Sequence, residues 1–112
     1  MLAWLIAGHL TGDFLLQNKW MAENKTKNFA ALLLHSSIYT VVIWLFSLPE
    51  NGLNLKIWNI VIIFFSHIIL DNRKFVMWWC RYITRSEPVY YLAVMTDQSW
   101  HIFILALVCF IN

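Results

Sequence analysis

The sequence predicts an all-α protein, a four-helix transmembrane bundle with an interfacial amphipathic segment between helices 3 and 4. Three observations carry that expectation. Hydrophobic residues make up 61% of the chain and charged residues only 12%, about half the usual charged share, so a water-facing surface is hard to assemble. Four apolar stretches each come near the roughly 17 to 25 residues that cross a hydrocarbon core. The links between them are short, polar and unequal in charge. At 112 residues the chain holds one integral-membrane domain, 1–112, because it is too short for two independent cores.

The first span runs from Leu2 to Asn18. It has no positively charged leading segment and no small-residue cleavage site, so it is expected to stay in the mature protein. Gly8 and Gly12 give it a face of small residues that lets another helix approach closely. A polar link, Asn18 to Asn28, leads to the second span, Phe29 to Leu48. Pro49 to Lys56, with Asn51-Gly52, forms the next turn. The third span covers Ile57 to about Asn72 and the fourth covers about Leu92 to Ile111. Between these two, Phe75, Val76, Met77, Trp78, Trp79, Tyr82 and Ile83 mix with Arg73, Lys74, Arg81 and Arg85. That mixture reads as a basic amphipathic stretch along the headgroups, ended by the helix breaker Pro88.

Charge sets the orientation. The first and third links carry Lys19, Lys25, Lys27, Arg73, Lys74, Arg81 and Arg85, against Lys56 alone on the other side. The positive-inside rule places those links in the cytoplasm and both termini outside. Trp20, Trp78, Trp79, Tyr82, Tyr90 and Tyr91 fall near the inner interface and Trp4, Trp44 and Trp58 near the outer one, as aromatic belts do. A net charge of +2 without a basic run interleaved with aromatics argues against nucleic acid as a partner. Cys80 and Cys109 lack ligand spacing and read as buried apolar thiols.

Inside this apolar frame the polar residues are sorted. All four histidines and all three aspartates lie within spans, whereas Glu23, Glu50 and Glu87 lie in links. The set is His9 and Asp13 on the first helix, His35 on the second, His67 and Asp71 on the third, and Asp97 and His101 on the fourth. Each pair is spaced i, i+4, which puts both side chains on one helix face. Counting inward from the cytoplasmic ends puts Asp13, His35, His67 and Asp97 in one layer, roughly 9 Å deep at about 1.5 Å per residue. Asp71 then falls about one turn shallower, and His9 and His101 about one turn deeper.

A mid-helix aspartate costs roughly 2.5 to 3.5 kcal/mol on insertion scales, so three of them demand compensation. No lysine or arginine lies deep in a span to provide it. Protonation of carboxylates or imidazoles, or bound cations, remain. Two divalent ions with a bridging hydroxide would neutralise three aspartates, and seven N/O ligands suit two ions with open positions for water. A dinuclear site, with zinc as the ion, is therefore the expectation, with His9, Asp13, His35, His67, Asp71, Asp97 and His101 as ligands. Taken one at a time these residues say little, since a lone helical histidine is more often a hydrogen-bonded packing residue. Gln17, Tyr39 and Gln98 sit on or beside the same faces and are candidates to orient ligands. Lys74, with Arg73, follows Asp71 at the interface, where it would anchor to anionic lipid or bind a phosphate.

The motifs Gly8-His9-Leu10-Thr11-Gly12-Asp13, Leu34-His35-Ser36, Ser66-His67-Ile68-Ile69-Leu70-Asp71 and Asp97-Gln98-Ser99-Trp100-His101 resemble a family of small bacterial and phage membrane proteins of unknown function. More loosely, the chain is similar to inner-membrane metal-dependent hydrolases, which carry scattered His and Asp on membrane helices. The resemblance implies a bacterial inner membrane location and a metal-dependent hydrolase; it names no substrate, and the depth of the site suits an amphiphilic or phosphoester one reached from the cytoplasmic side. Asp71 and Asp97 are the candidate catalytic residues, with Asp71 a candidate general base. Two other classes stay open. One is a proton- or ion-linked transporter using the same residues as a relay, which needs a homo-oligomer because the outer helix halves are almost wholly apolar. The other is a non-catalytic membrane interaction protein whose polar core only locks the bundle.

Overall fold

The computed structural model describes residues 1–49, 54–86 and 89–112. Among these, helices are the only regular structure: α1 (Leu2–Leu10), α2 (Lys19–Asn24), α3 (Phe29–Ser47), α4 (Ile57–Asp71), α5 (Lys74–Tyr82) and α6 (Tyr90–Ile111). The Asn51-Gly52 turn and the breaker Pro88 lie outside the described residues. α3 and α6 are long and apolar enough to cross a membrane, and Leu2–Leu15 and α4 are shorter apolar helices.

Four apolar helices pack in a ring, α1 on α3, α3 on α4, α4 on α6 and α6 on α1, with α2 lying on α3 and α5 on α4 and α6. Each ring helix turns one face inward at helical spacing. On the first segment that face is Leu5, Gly8, His9, Gly12 and Asp13, on α4 Asn59, Ile63, His67, Leu70 and Asp71, and on α6 Asp97, His101, Leu105 and Val108. All seven acids and imidazoles are buried, while Leu15, Phe29, Ile57, Phe65 and Phe110 are exposed. The distribution is inverted with respect to a water-soluble bundle, whose exposed face is polar. At one end of the ring, Leu5, Tyr39, Ile43, Ile63, Leu105 and Val108 close an apolar layer.

Two local features depart from the uninterrupted helices and bare link that the sequence suggests, and a third gives the expected amphipathic segment its form. α1 does not continue to Asn18. Thr11–Leu15 form a π-helical turn, closed by Leu16 N–H donating to the Thr11 carbonyl at 2.9 Å, and Asp13 sits in it; such turns recur at functional sites. The first link contains α2, because the Asn18 side chain accepts from Met21 N–H at 2.8 Å and caps a helical turn. The third link contains α5, started by a sharp reversal at Arg73, whose φ of 65° is left-handed. There Arg73 N–H donates to the Leu70 carbonyl and closes α4, while Asn72 Oδ1 caps Lys74 N–H. Val76 and Cys80 form the buried face of α5, in keeping with an amphipathic segment.

The glycines explain how α1 approaches α3. A Cβ on Gly8 would stand 3.0 Å from Phe46 Cβ, and one on Gly12 would stand 2.9 Å from the Tyr39 ring and 3.4 Å from Tyr39 Cα. Both distances are shorter than the roughly 3.5–4.0 Å of an ordinary carbon contact.

Candidate metal centre

Asp71 is the hub of the polar interior. Its Oδ2 lies 2.9 Å from His35 Nε2 and 3.3 Å from His67 Nε2, and its Oδ1 lies 3.4 Å from His101 Nε2. Asp13 Oδ1 lies opposite, 3.1 Å from His35 Nε2 and 3.5 Å from His67 Nε2. Residue counting sets Asp71 a turn away from this level. The Cα–Cβ bond of a helical residue tilts toward the helix N-terminus, so the carboxylate of Asp71, the last residue of α4, reaches back to the level of His67.

One ligand atom from each of Asp13, His35, His67 and Asp71 lies within 4.8 Å of the others, and Asp71, Asp97 and His101 form a second such group. These buried groups are able to hold a metal ion. For bonds of about 2.0–2.2 Å in a tetrahedron, ligand atoms stand roughly 3.3–3.6 Å apart; of the four imidazole–carboxylate separations, 3.3 and 3.5 Å fall in that range and 2.9 and 3.1 Å are shorter.

Hydrogen bonding fixes where the lone pairs point. His101 Nδ1 lies 2.8 Å from the Asp97 carbonyl, which only accepts, so this nitrogen carries a proton. In a neutral ring His101 Nε2 is then an acceptor, and it takes the Nδ1 proton of His67 at 3.1 Å. His67 Nε2 is left with a lone pair facing two carboxylate oxygens. It is buried and has no hydrogen-bond partner among the described residues, and the same holds for Asp97 Oδ1. With neutral rings, His67 Nε2 and the two carboxylate oxygens are three electron-rich atoms around one point, a donor set that a cation satisfies. Tyr39 stacks on His67, with centroids 3.7 Å apart and planes 12° from parallel, and holds that ring in place.

His9 belongs to neither group, although its Nδ1 lies 3.5 Å from Asp13 Oδ2. Its Nδ1 accepts from the Tyr39 hydroxyl at 3.0 Å and its Nε2 donates to Gln98 Oε1 at 2.7 Å, so both ring nitrogens are engaged. Its ring stacks against His101 at 5.2 Å. Gln98 in turn donates to Asp97 Oδ2 at 3.1 Å. Tyr39 and Gln98 thus orient the centre through His9 and Asp97. Gln17 donates to the Asp13 carbonyl rather than to a carboxylate. The Lys74 side chain lines a cavity near Asp71 and makes no ion pair among the described residues.

The absence of a deep cation, expected from the spans, is corrected by Lys25. Its ammonium lies 2.7 Å from Asp71 Oδ2, with 9% of the side chain exposed against 1% for Asp71. Lys25 follows α2, where Met21 is also buried; the two are four apart and share a face once that segment is helical. The signal was therefore an Asn18 cap followed by an i, i+4 pair, hidden in a stretch whose polar composition reads as a link. With Lys25 included, three aspartates and one lysine leave a formal −2 when the imidazoles are neutral.

An all-helical chain with an apolar exterior, two membrane-length helices and a buried His/Asp cluster able to hold a metal is the class that fold and site define. The chain belongs to the family described as protein of unknown function (DUF3307), which matches residues 1–112. Neither the curated proteins nor the solved structures contain a match, and no similarity to a hydrolase is found.

Proposed function

We propose that this chain is an intramembrane metal-dependent hydrolase acting on an amphiphilic or phosphoester substrate. The four apolar helices of the ring cross the membrane, and the lysine-bearing links lie in the cytoplasm. The observation that carries the proposal is His67 Nε2, buried between Asp13 Oδ1 and Asp71 Oδ2 at 3.5 and 3.3 Å and without a hydrogen-bond partner among the described residues. Asp13, His35, His67 and Asp71 would hold the ion. Lys25 changes the count: the remaining −2 is balanced by one divalent ion, whereas two ions with their bridging hydroxide would leave +1. One ion per chain, zinc on the strength of its N/O ligands, is therefore favoured over a dinuclear site.

A divalent ion bound there supplies Lewis acidity and makes a water acidic enough to be a nucleophile near neutral pH. The protein's own groups supply the rest. Asp97 Oδ1 is buried and accepts no hydrogen bond among the described residues, so it is the carboxylate oxygen free to take a proton from the attacking water. Its other oxygen is held by Gln98, and His101 is held by the Asp97 carbonyl. Beside His67 and His101 is a cavity of about 10 Å³, about the minimum for one water.

Elemental analysis after gentle purification tests this directly. The expected result is one divalent ion per chain, lost in Asp71→Asn and His67→Ala, with a lowered Tm after chelation. A metal-free protein whose Tm ignores chelator would overturn it.

A proton-relay reading draws on the hydrogen-bonded chain from Tyr39 through His9 and Gln98 to Asp97. It ranks second because that chain meets the apolar layer of Leu5, Ile43, Ile63, Leu105 and Val108. Proton flux into proteoliposomes abolished by His35→Ala would reverse the ranking.

A further inference from the structure

Beyond Asp71, at the same end of the helix ring, lies a cavity of about 220 Å³ whose lining includes Lys25, Lys27, Asn28, Leu32, Asn72 and Lys74. It is smaller than the roughly 300–1,000 Å³ of drug-sized ligand sites, a volume suited to a compact polar head. Its lysines come from separate parts of the chain: Lys25 and Lys27 from the segment between α2 and α3, and Lys74 from the start of α5. The ring's own packing brings them together. A scattered set of lipid-anchoring lysines would need no such concavity.

Charge identifies the guest. No carboxylate lines the cavity among the described residues, and Lys25 is already balanced by Asp71. Lys27 and Lys74, both exposed, make no ion pair among the described residues, so two uncompensated lysines line the space. A phosphate monoester carries about −1.5 to −2 at neutral pH, whereas a phosphodiester carries only −1. The start of α3, whose Phe29 lines the same cavity, adds the partial positive charge of a helix N-terminus.

We propose that this cavity binds a phosphate monoester group, supplied either by a lipid headgroup or by a free phosphate. Lys25 is the wall between the cavity and the His/Asp centre, since it lines the one and pairs with Asp71 in the other. That the bound group is also the hydrolase's substrate rests on the preceding proposal; its affinity for the cavity does not.

The test is titration of the detergent-solubilised protein, by calorimetry, with three probes: dioctanoyl phosphatidic acid, dioctanoyl phosphatidylglycerol and inorganic phosphate. Metal content is measured on the same samples. Phosphatidic acid should bind at least tenfold more tightly than phosphatidylglycerol. The Lys27→Gln/Lys74→Gln variant should lose about fivefold per lysine, so about twenty-five-fold for the pair, with metal content unchanged. Lysine-dependent binding of inorganic phosphate that competes with the lipid makes free phosphate a sufficient ligand; lysine-dependent binding of phosphatidic acid alone assigns the cavity to a lipid headgroup. Equal affinity for the two lipids, or binding unchanged by the double substitution, overturns the proposal. Lysine-dependent binding to a metal-free wild-type protein would remove the hydrolase and leave the phosphate cavity standing. A metal-loaded protein without such binding would do the opposite.

Discussion

Replacing Lys25 by methionine keeps most of its stem volume and removes the one ammonium that touches the buried carboxylates. At 2.7 Å, and with an effective dielectric constant of 20, the attraction between the two charges is about 6 kcal/mol. Much of that is offset by the desolvation of both groups. What the variant loses is the compensation of Asp71, and breaking one side of a buried pair costs about 3–5 kcal/mol. Small domains are stable by only about 5–15 kcal/mol, so chelator-treated Lys25→Met should unfold at markedly lower denaturant in mild detergent, followed by tryptophan fluorescence. Lys25→Met/Asp71→Asn removes both charges and should recover at least half of the loss, giving a coupling of about 2 kcal/mol or more. With a divalent ion bound, the deficit should shrink to about 1 kcal/mol, because a second positive charge then faces Asp71. A single variant within about 1 kcal/mol of wild type, or strict additivity with Asp71→Asn, would refute the role given to Lys25.

Three further outcomes follow from the packing. Gly12→Ala drives a methyl against the Tyr39 ring, with Tyr39 Cα only 3.4 Å away; overpacking of this kind costs about 1–3 kcal/mol, and a variant as stable as wild type would show that α1 and α3 separate freely. Tyr39→Phe keeps the stacking on His67 and loses only the hydroxyl bonded to His9, which is in neither ligand group, so metal affinity, read by chelator competition, should stay close to wild type, whereas Tyr39→Leu should lose about tenfold; no difference between the two would assign the ring no part in positioning His67. Arg73→Gly relieves a left-handed backbone at φ 65° and should raise the Tm by the equivalent of about 0.5–1 kcal/mol, whereas a fall would mean that contacts of the guanidinium outweigh the strain.

Much of the site was legible in the chain because its signals are local. His9 and Asp13, His67 and Asp71, and Asp97 and His101 reveal themselves by the i, i+4 spacing of a helix. An apolar exterior makes any histidine or aspartate within a span an inward-facing residue. His35, alone on its helix, was legible only through the company of the other three. Lys25 was not, since a lysine in a polar link carries no periodicity, and its depth depends on α2 folding back on α3. Nor was the hub position of Asp71, which follows from the direction of its side chain rather than from its place in the count.

The sequence by itself determined which residues are polar in an apolar chain, the helical faces they occupy, and the basic, aromatic-flanked links. These depend on composition and on spacing within single helices. Only the tertiary structure decided that His9 spends both ring nitrogens on Tyr39 and Gln98, that His67 keeps a lone pair facing two carboxylates, and that Lys25 supplies the missing positive charge. The reason is physical: beside within-helix contacts such as that of His101 with the Asp97 carbonyl, proton positions and charge balance in a buried cluster depend on contacts between residues 22 to 89 positions apart, and no single helix carries that information.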